Sequence, residues 1–290
     1  MGADIYQTLA KRGSEWAKLV ENLTRLEGAV ASIPFDEFFE PGLGPDSVQK
    51  LTSITSAHLV AWTRHVAYGT IARLGSLTRP CLNLLAEDDV VIAGLVERCM
   101  LEHAARAAHT LERLRDSHKS SSWESLRELI PKTLFGTCLT NPEGTVFEDM
   151  AESNPLRPVK PTKLIESLES FAGTSETGGT SFFPGLYAFL CDLTHASQRT
   201  NSGFCQVASE TGNGWFLQYQ RSERNKDEAS LGALRGAMRC LQAGYGASAM
   251  LLFWRFEDDR SGLLARGPDR EEVAWVWHNI LDPNLVFWTQ

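Results

Sequence analysis

Two groups of polar side chains in this chain have types and spacings that could do chemistry. In the stretch from Asp88 to His118, DDVVIAGLVERCMLEHAARAAHTLERLRDSH, a helix turning about 100° per residue puts Arg98, Glu102, Arg106, His109 and Arg113 on one stripe. In Phe182 to Ser197, FFPGLYAFLCDLTHAS, Tyr187, Cys191, Thr194 and His195 fall broadly on one side of a second helix, with Leu186, Leu190 and Leu193 on another. Brought together, the Glu102 carboxylate would accept from the His195 imidazole, Arg98 would offset the carboxylate charge, and Tyr187 would donate a hydrogen bond. A carboxylate-oriented histidine is a competent general base. Glu102, His195, Arg98 and Tyr187 are therefore the candidate catalytic pocket. The competing reading is structural: the same four groups, each satisfied, fix how two helices cross. On either reading Glu102 and His195 are expected within roughly 8 Å, close enough for one bridging water. Removing Glu102 from a buried pair would cost on the order of 3 kcal/mol.

The elements that must position these groups follow from periodicity. Ile5, Leu9, Trp16, Leu19, Leu23, Leu26 and Val30 recur at steps that predict one amphipathic helix over 3–32, ended by Pro34. Asp46 or Ser47 would cap a second helix running to about Thr78, with Pro80 as its stop or kink. Asp88 or Asp89 opens the helix of the first polar stripe, whose apolar arc is expected at Ile92, Val96, Cys99, His103, Ala107 and Leu114. A short helix near Trp123–Ile130 follows. The Pro-rich run 140–162 reads as an irregular connection, and Pro161–Phe171 as a further short helix. Pro184 suits the first turn of the Tyr187 helix. Phe204–Val207 and Trp215–Tyr219 flank the turn residues Asn213-Gly214 and predict a hairpin insert at 204–220, the only sheet expected. A last long helix spans about Asp227–Trp254, where the Gly232/Gly236 spacing permits close helix packing. The Trp-rich tail is expected to close the core, with a homodimer surface as its alternative.

Composition narrows the function classes. The 290 residues carry 28 Lys+Arg against 36 Asp+Glu, a net charge of −8 that disfavours nucleic acid and acidic membranes as partners. Six scattered cysteines without a Cys-x-x-Cys read as reduced thiols, and no apolar run reaches the roughly 18 residues of a membrane span, so the expected location is cytoplasmic. There is no phosphate loop, dinucleotide fingerprint, Gly-x-Ser-x-Gly elbow or His-Glu-x-x-His helix, and no cofactor or metal is called for. His58 and His65 share a face but lack a third ligand nearby, which reads as two ordinary polar-edge histidines.

Arg98-Cys99-Met100-Leu101-Glu102 inside an Ala-rich helix, followed by Tyr187-Ala188-Phe189-Leu190-Cys191-Asp192-Leu193-Thr194-His195, resembles a pattern of functionally uncharacterised, mostly helical bacterial proteins: R-x-x-x-E, then Y-x-x-L-S-x-x-x-H. Cys191 stands where that pattern has Ser. The resemblance implies helical architecture and a bacterial or phage origin, and no particular activity. Arg98 with His103, and Arg113 with His118, also resemble the arginine–histidine spacing of HEPN-type ribonucleases. That resemblance implies metal-independent RNA cleavage, as in bacterial defence or toxin systems, with Arg98 and His103 catalytic. Against it, five residues along a helix turn side chains apart by roughly 140°, and the chain is acidic.

The sequence thus predicts an all-α protein, mainly a helical bundle, as a single domain over 1–290 with a small β-hairpin at 204–220. The function expected is interaction or ligand sensing through the Arg/Glu/His/Tyr pocket, with a protein or small molecule as partner. RNA is a partner only under the HEPN alternative.

Overall fold

Small residues decide how the long helices of this protein meet. The computed structural model describes residues 2–33, 53–127, 129–135, 159–172, 181–194, 206–211, 214–218, 226–260 and 262–282. Over these the chain forms α1 (Gly2–Ala10), α2 (Ser14–Ala31), α3 (Ser56–Ala86), α4 (Val90–Ser120), a single 3₁₀ turn (Glu124–Leu126), α5 (Leu129–Phe135), α6 (Pro161–Ala172) and α7 (Phe182–Thr194). The hairpin β1 (Gln206–Thr211) and β2 (Gly214–Gln218) comes next, then α8 (Lys226–Leu252), a second hairpin of β3 (Arg255–Asp259) and β4 (Gly262–Arg266), and α9 (Arg270–Asn279). The helical bundle with a small hairpin is as expected. No helix among the described residues is long and apolar enough to cross a membrane.

The central element is α4, which packs against α3, α6, α7 and α8. The three-residue link 87–89 makes α3 and α4 antiparallel neighbours, and Asp89 caps α4 by accepting from the Ile92 amide at 3.4 Å. By contrast α4 and α8 run the same way: Glu97 lies against Gly236, Ala104 against Gly244, and His118 against Trp254. A Cβ built on Gly244 would stand 3.0 Å from the Ala104 Cβ and 3.2 Å from its Cα, so only glycine lets the two backbones approach this closely. The buried surface of α4 accordingly runs through Ala93, Met100, Leu101, Ala104, Ala105, Ala107, Ala108, Leu111 and Leu114. This corrects the apolar arc expected from the sequence in part, since Ala107 and Leu114 are buried and Val96 packs against the core. Ile92 is 41 % exposed and Cys99 is exposed as well, because three helices close on the alanine faces and leave the larger side chains at the rim.

Other boundaries moved for identifiable reasons. The single helix expected over 3–32 is broken between α1 and α2 at Gly13, φ 159°. There Arg12 turns inward: its guanidinium donates to the Leu85 carbonyl at 2.8 Å and to Asp88 at 2.5 Å, also binds Asp227, and stacks on Trp16 at 4.5 Å. The start of α3 is later than the Asp46/Ser47 cap expected, whose positions lie outside the described residues. Thr55 is the cap, and the His58 ring accepts from the Thr55 amide at 3.2 Å to complete a reciprocal capping pair. Pro80 neither stops nor ends α3, which continues to Ala86. Proline removes one i to i−4 bond, but Leu74, Cys81, Leu82 and Leu85 are all buried and tertiary packing carries the helix through.

The expected hairpin is present, with β1 and β2 antiparallel and a register shift between Val207 and Ser209. It is not the only sheet, since β3 and β4 form a second antiparallel pair. Asp258 of β3 accepts from both the amide and the hydroxyl of Ser56, at 2.9 and 2.6 Å, which ties that hairpin to the start of α3. The tail closes the core in part: Val276, Ile280 and Leu281 are buried while Trp277 is 49 % exposed. The connection 140–158 and residues 283–290 lie outside the described residues.

The glycines of α8 separate packing from propensity. Gly244→Ala is expected to lower stability by about 1–3 kcal/mol through overpacking. At Gly232 a Cβ would meet nothing within 4 Å, so Gly232→Ala should raise stability by up to about 1 kcal/mol through helix propensity alone. Paired urea melts of the two variants check this. Equal effects would show that the α4–α8 contact does not depend on Gly244.

Candidate functional site

The turns of α4 from Leu95 to Glu102 and the middle of α7 form the edge on which the candidate residues lie. The seat of α7 is fixed at its start by Glu169 of α6, a buried carboxylate that accepts from the Phe182 and Phe183 amides at 3.1 and 2.8 Å. An acid at a helix N-terminus satisfies orphan amides and the helix dipole together. Further along, Gly94 of α4 receives Leu190 and Leu193: a Cβ there would stand 2.8 Å from the Leu193 side chain. This apolar seat brings the polar side of α7 against Arg98.

Arg98 Nε donates to Glu102 Oε1 at 3.1 Å, and the guanidinium lies 5.7 Å from the centre of the Tyr187 ring. Burial works against the Arg98 charge, but Cys191, Glu102 and Tyr187 outweigh it and hold the guanidinium above its ordinary range. Burial, then a hydrogen bond with Cys191 one turn on, raises the Tyr187 hydroxyl. Arg98, Glu102, Tyr187 and Cys191 thus meet across two helices. His195 lies outside the described residues, so its approach to Glu102 does too. The Glu102 side chain is 41 % exposed, more than a buried pair would allow.

The other polar residues of α4 go elsewhere. Arg106 is exposed, and His103 is half-buried near Arg106 and Arg73 of α3; burial first and then these two cations push its pKa down. Arg98 faces α7, so Arg98 and His103 diverge as the helix angle requires. Arg113 pairs with Asp116 at 3.4 Å, and His118 is set between the rings of Trp123 and Trp254.

His109, expected on the polar stripe, is buried at 2 % exposure against α6. Its Nδ1 lies 2.8 Å from Ser167 Oγ, which in turn donates to Glu112 at 2.6 Å. The serine proton points to the carboxylate, so the histidine must donate to the serine oxygen. That is the reverse of nucleophile activation. Burial lowers the His109 pKa to about 4 and keeps the ring neutral. The network locks α6 onto α4.

One group that sequence reasoning missed is Glu97. It is 2 % exposed, its Oε1 has no hydrogen-bond partner among the described residues, and a Cβ on Gly236 would fall 1.9 Å from that oxygen. Burial pushes the carboxyl up to about 8. It in turn raises the buried thiols of Cys81 on α3 and Cys240 on α8, in which burial is again the larger cause. The signal available in the sequence was Gly236 itself, a small residue in a buried turn that leaves room for a long side chain opposite.

Among the described residues Cys81, Cys99, Cys191 and Cys240 form no disulfide. Among the described residues no group of three His, Cys, Asp or Glu could hold a metal ion. No protein-family model, curated protein or solved structure matches the chain.

Two variants distinguish the polar groups of α4. Glu102→Ala is expected to cost under about 1 kcal/mol, the range of an exposed i,i+4 pair, and not the larger figure expected for a buried one; a urea melt checks it. Glu97 should impose a pH dependence of opposite sign to that of a salt-bridged acid. Below its ordinary value near 4.5 the carboxyl is protonated in both folded and unfolded chains. Between there and about 8 only the unfolded chain ionises, so stability falls as pH rises, and above about 8 the loss is complete. Glu97→Gln keeps the shape without the ionisation and should flatten urea midpoints measured from pH 5 to 9. An unchanged slope in that variant would remove Glu97 as the cause.

Proposed function

We propose that this protein is a cytoplasmic helical interaction protein that recognises a partner through the α4–α7 edge. One observation carries the reading: the Arg98/Glu102/Tyr187/Cys191 cluster sits half-exposed on the two helices that also present Ile92, Leu95 and Phe189, at 41, 38 and 42 % exposure. Apolar side chains around an arginine and a tyrosine make the composition of a binding hot spot. Arg98 brings a fixed fork of donors, and Tyr187 holds it in place from the ring face.

A photo-crosslinking residue in place of Phe189, in cells that make the protein naturally, should capture one defined partner. Arg98→Ala should abolish that capture, while a probe at the exposed Trp277 should not find the same protein. Identical captures from positions 189 and 277, or capture indifferent to Arg98, would overturn the proposal.

A further inference from the structure

One stripe of α4 stays at the surface of the bundle. Ile92, Leu95, Cys99, His103 and Arg106 fall within about 80° of one another around the helix, and all but the half-buried His103 are exposed. The stripe changes character along its length. It starts at Ile92 and Leu95, in the apolar part of the α4–α7 edge, and about 21 Å further along the helix axis it ends at Arg106.

The far end reverses the charge of the chain. Arg73, exposed on α3, and Arg106 converge on the His103 ring. Neither arginine forms an ion pair among the described residues. Glu102 lies near Arg106 but is engaged by Arg98 at 3.1 Å. Two acids beside the start of the stripe are in use as well: Asp88 accepts from Arg12 and Ser230, and Asp89 caps α4. With Arg98 set against Glu102, two like charges are left together on a chain of net charge −8. A partner that brings carboxylates relieves their repulsion and is steered to this end.

We infer that this stripe docks an amphipathic helix of a partner protein, whose apolar face covers Ile92 and Leu95 and whose acidic end meets Arg73 and Arg106. The inference rests on the reading of the α4–α7 edge as a binding surface, and it names the chemistry of what binds there. A stripe of about 21 Å matches about four turns of helix. Apolar anchors on successive turns are the usual means by which a helix is held on such a face. A nucleic acid would use the two arginines for its phosphates but leave Ile92 and Leu95 in water.

The test is selection of a displayed library of random helical peptides on the full chain. Recovered peptides should carry apolar residues on one helical face, with Asp or Glu gathered at one end. The double variant Arg73→Glu/Arg106→Glu, its fold checked by circular dichroism, should bind those peptides about tenfold or more weakly and should select peptides with Lys or Arg at that end instead. Leu95→Asp should abolish recovery of both kinds. Peptides that are lost on Arg98→Ala but carry no acidic end would leave the edge a binding surface and overturn this inference alone. Recovery of no peptide, or of peptides indifferent to Arg98 and Leu95, would overturn both readings. Displacement of the peptides by oligouridylate would make the occupant a nucleic acid, and self-association lost in the double variant would make it a second copy of this chain; either result overturns the inference.

Discussion

The close approach of α4 and α8 is the constraint from which most of the structure follows. Two parallel helices that touch at Gly244 and Ala104 leave no room for a larger side chain at that crossing. The apolar bulk is displaced to their flanks, where α3, α6 and α7 supply Trp62, Leu74, Leu168, Phe183 and Leu190 to cover it. Close packing of this kind gains from many small dispersion contacts and tolerates little change in volume. It also explains the one long polar side chain in the seam: the space over Gly236 is filled by Glu97, whose carboxyl is kept neutral by burial so that no charge is left in a dry interior.

Much of the fold was legible because large apolar residues at helical steps dominate most segments. The α4 segment was recognised as central, α4 starts at its Asp89 cap and α6 at Pro161 as read, and α7 and α8 lie within the segments expected for them. What periodicity misjudged was which face of α4 is buried. Counting Ile92 and Cys99 as core assumes that burial follows size, whereas here it follows the ability of a neighbour to come close, and alanine serves that best. The second hairpin was hidden because RFEDD and GLLAR lack the β-branched alternation that marks a strand; Asp258 anchors it from outside the pair.

The candidate site was legible in a narrower sense. An i,i+4 pair such as Arg98 and Glu102 needs only helix geometry, and Tyr187 with Cys191 likewise. That the two pairs meet depends on a cross-helix register set by Gly94, Leu190 and Leu193, which no single segment contains. The same logic accounts for His109. Its position on the helix put it beside Arg106 and Arg113 on paper, but the arrival of α6 with Ser167 turned that part of the stripe into interior. Residues that satisfy one another across elements separated by long stretches of chain are invisible to periodicity.

Arg12 has a consequence for how the chain is made. Its guanidinium joins the turn before α2 to the α3–α4 corner, 73 and 76 residues away, and to Asp227 at the head of α8, 215 residues away. At a synthesis rate of about 5–20 residues per second, the last of these partners leaves the ribosome roughly 10–40 s after Arg12 does. From the emergence of α4 to that of α8, roughly 5–20 s at that rate, α4 has no α8 to cover its alanine face and Glu97 has no Gly236 turn over it. The order of synthesis therefore delivers the central helix well before its closest neighbour, so the narrowest seam of the finished protein is among the last parts of it that can close.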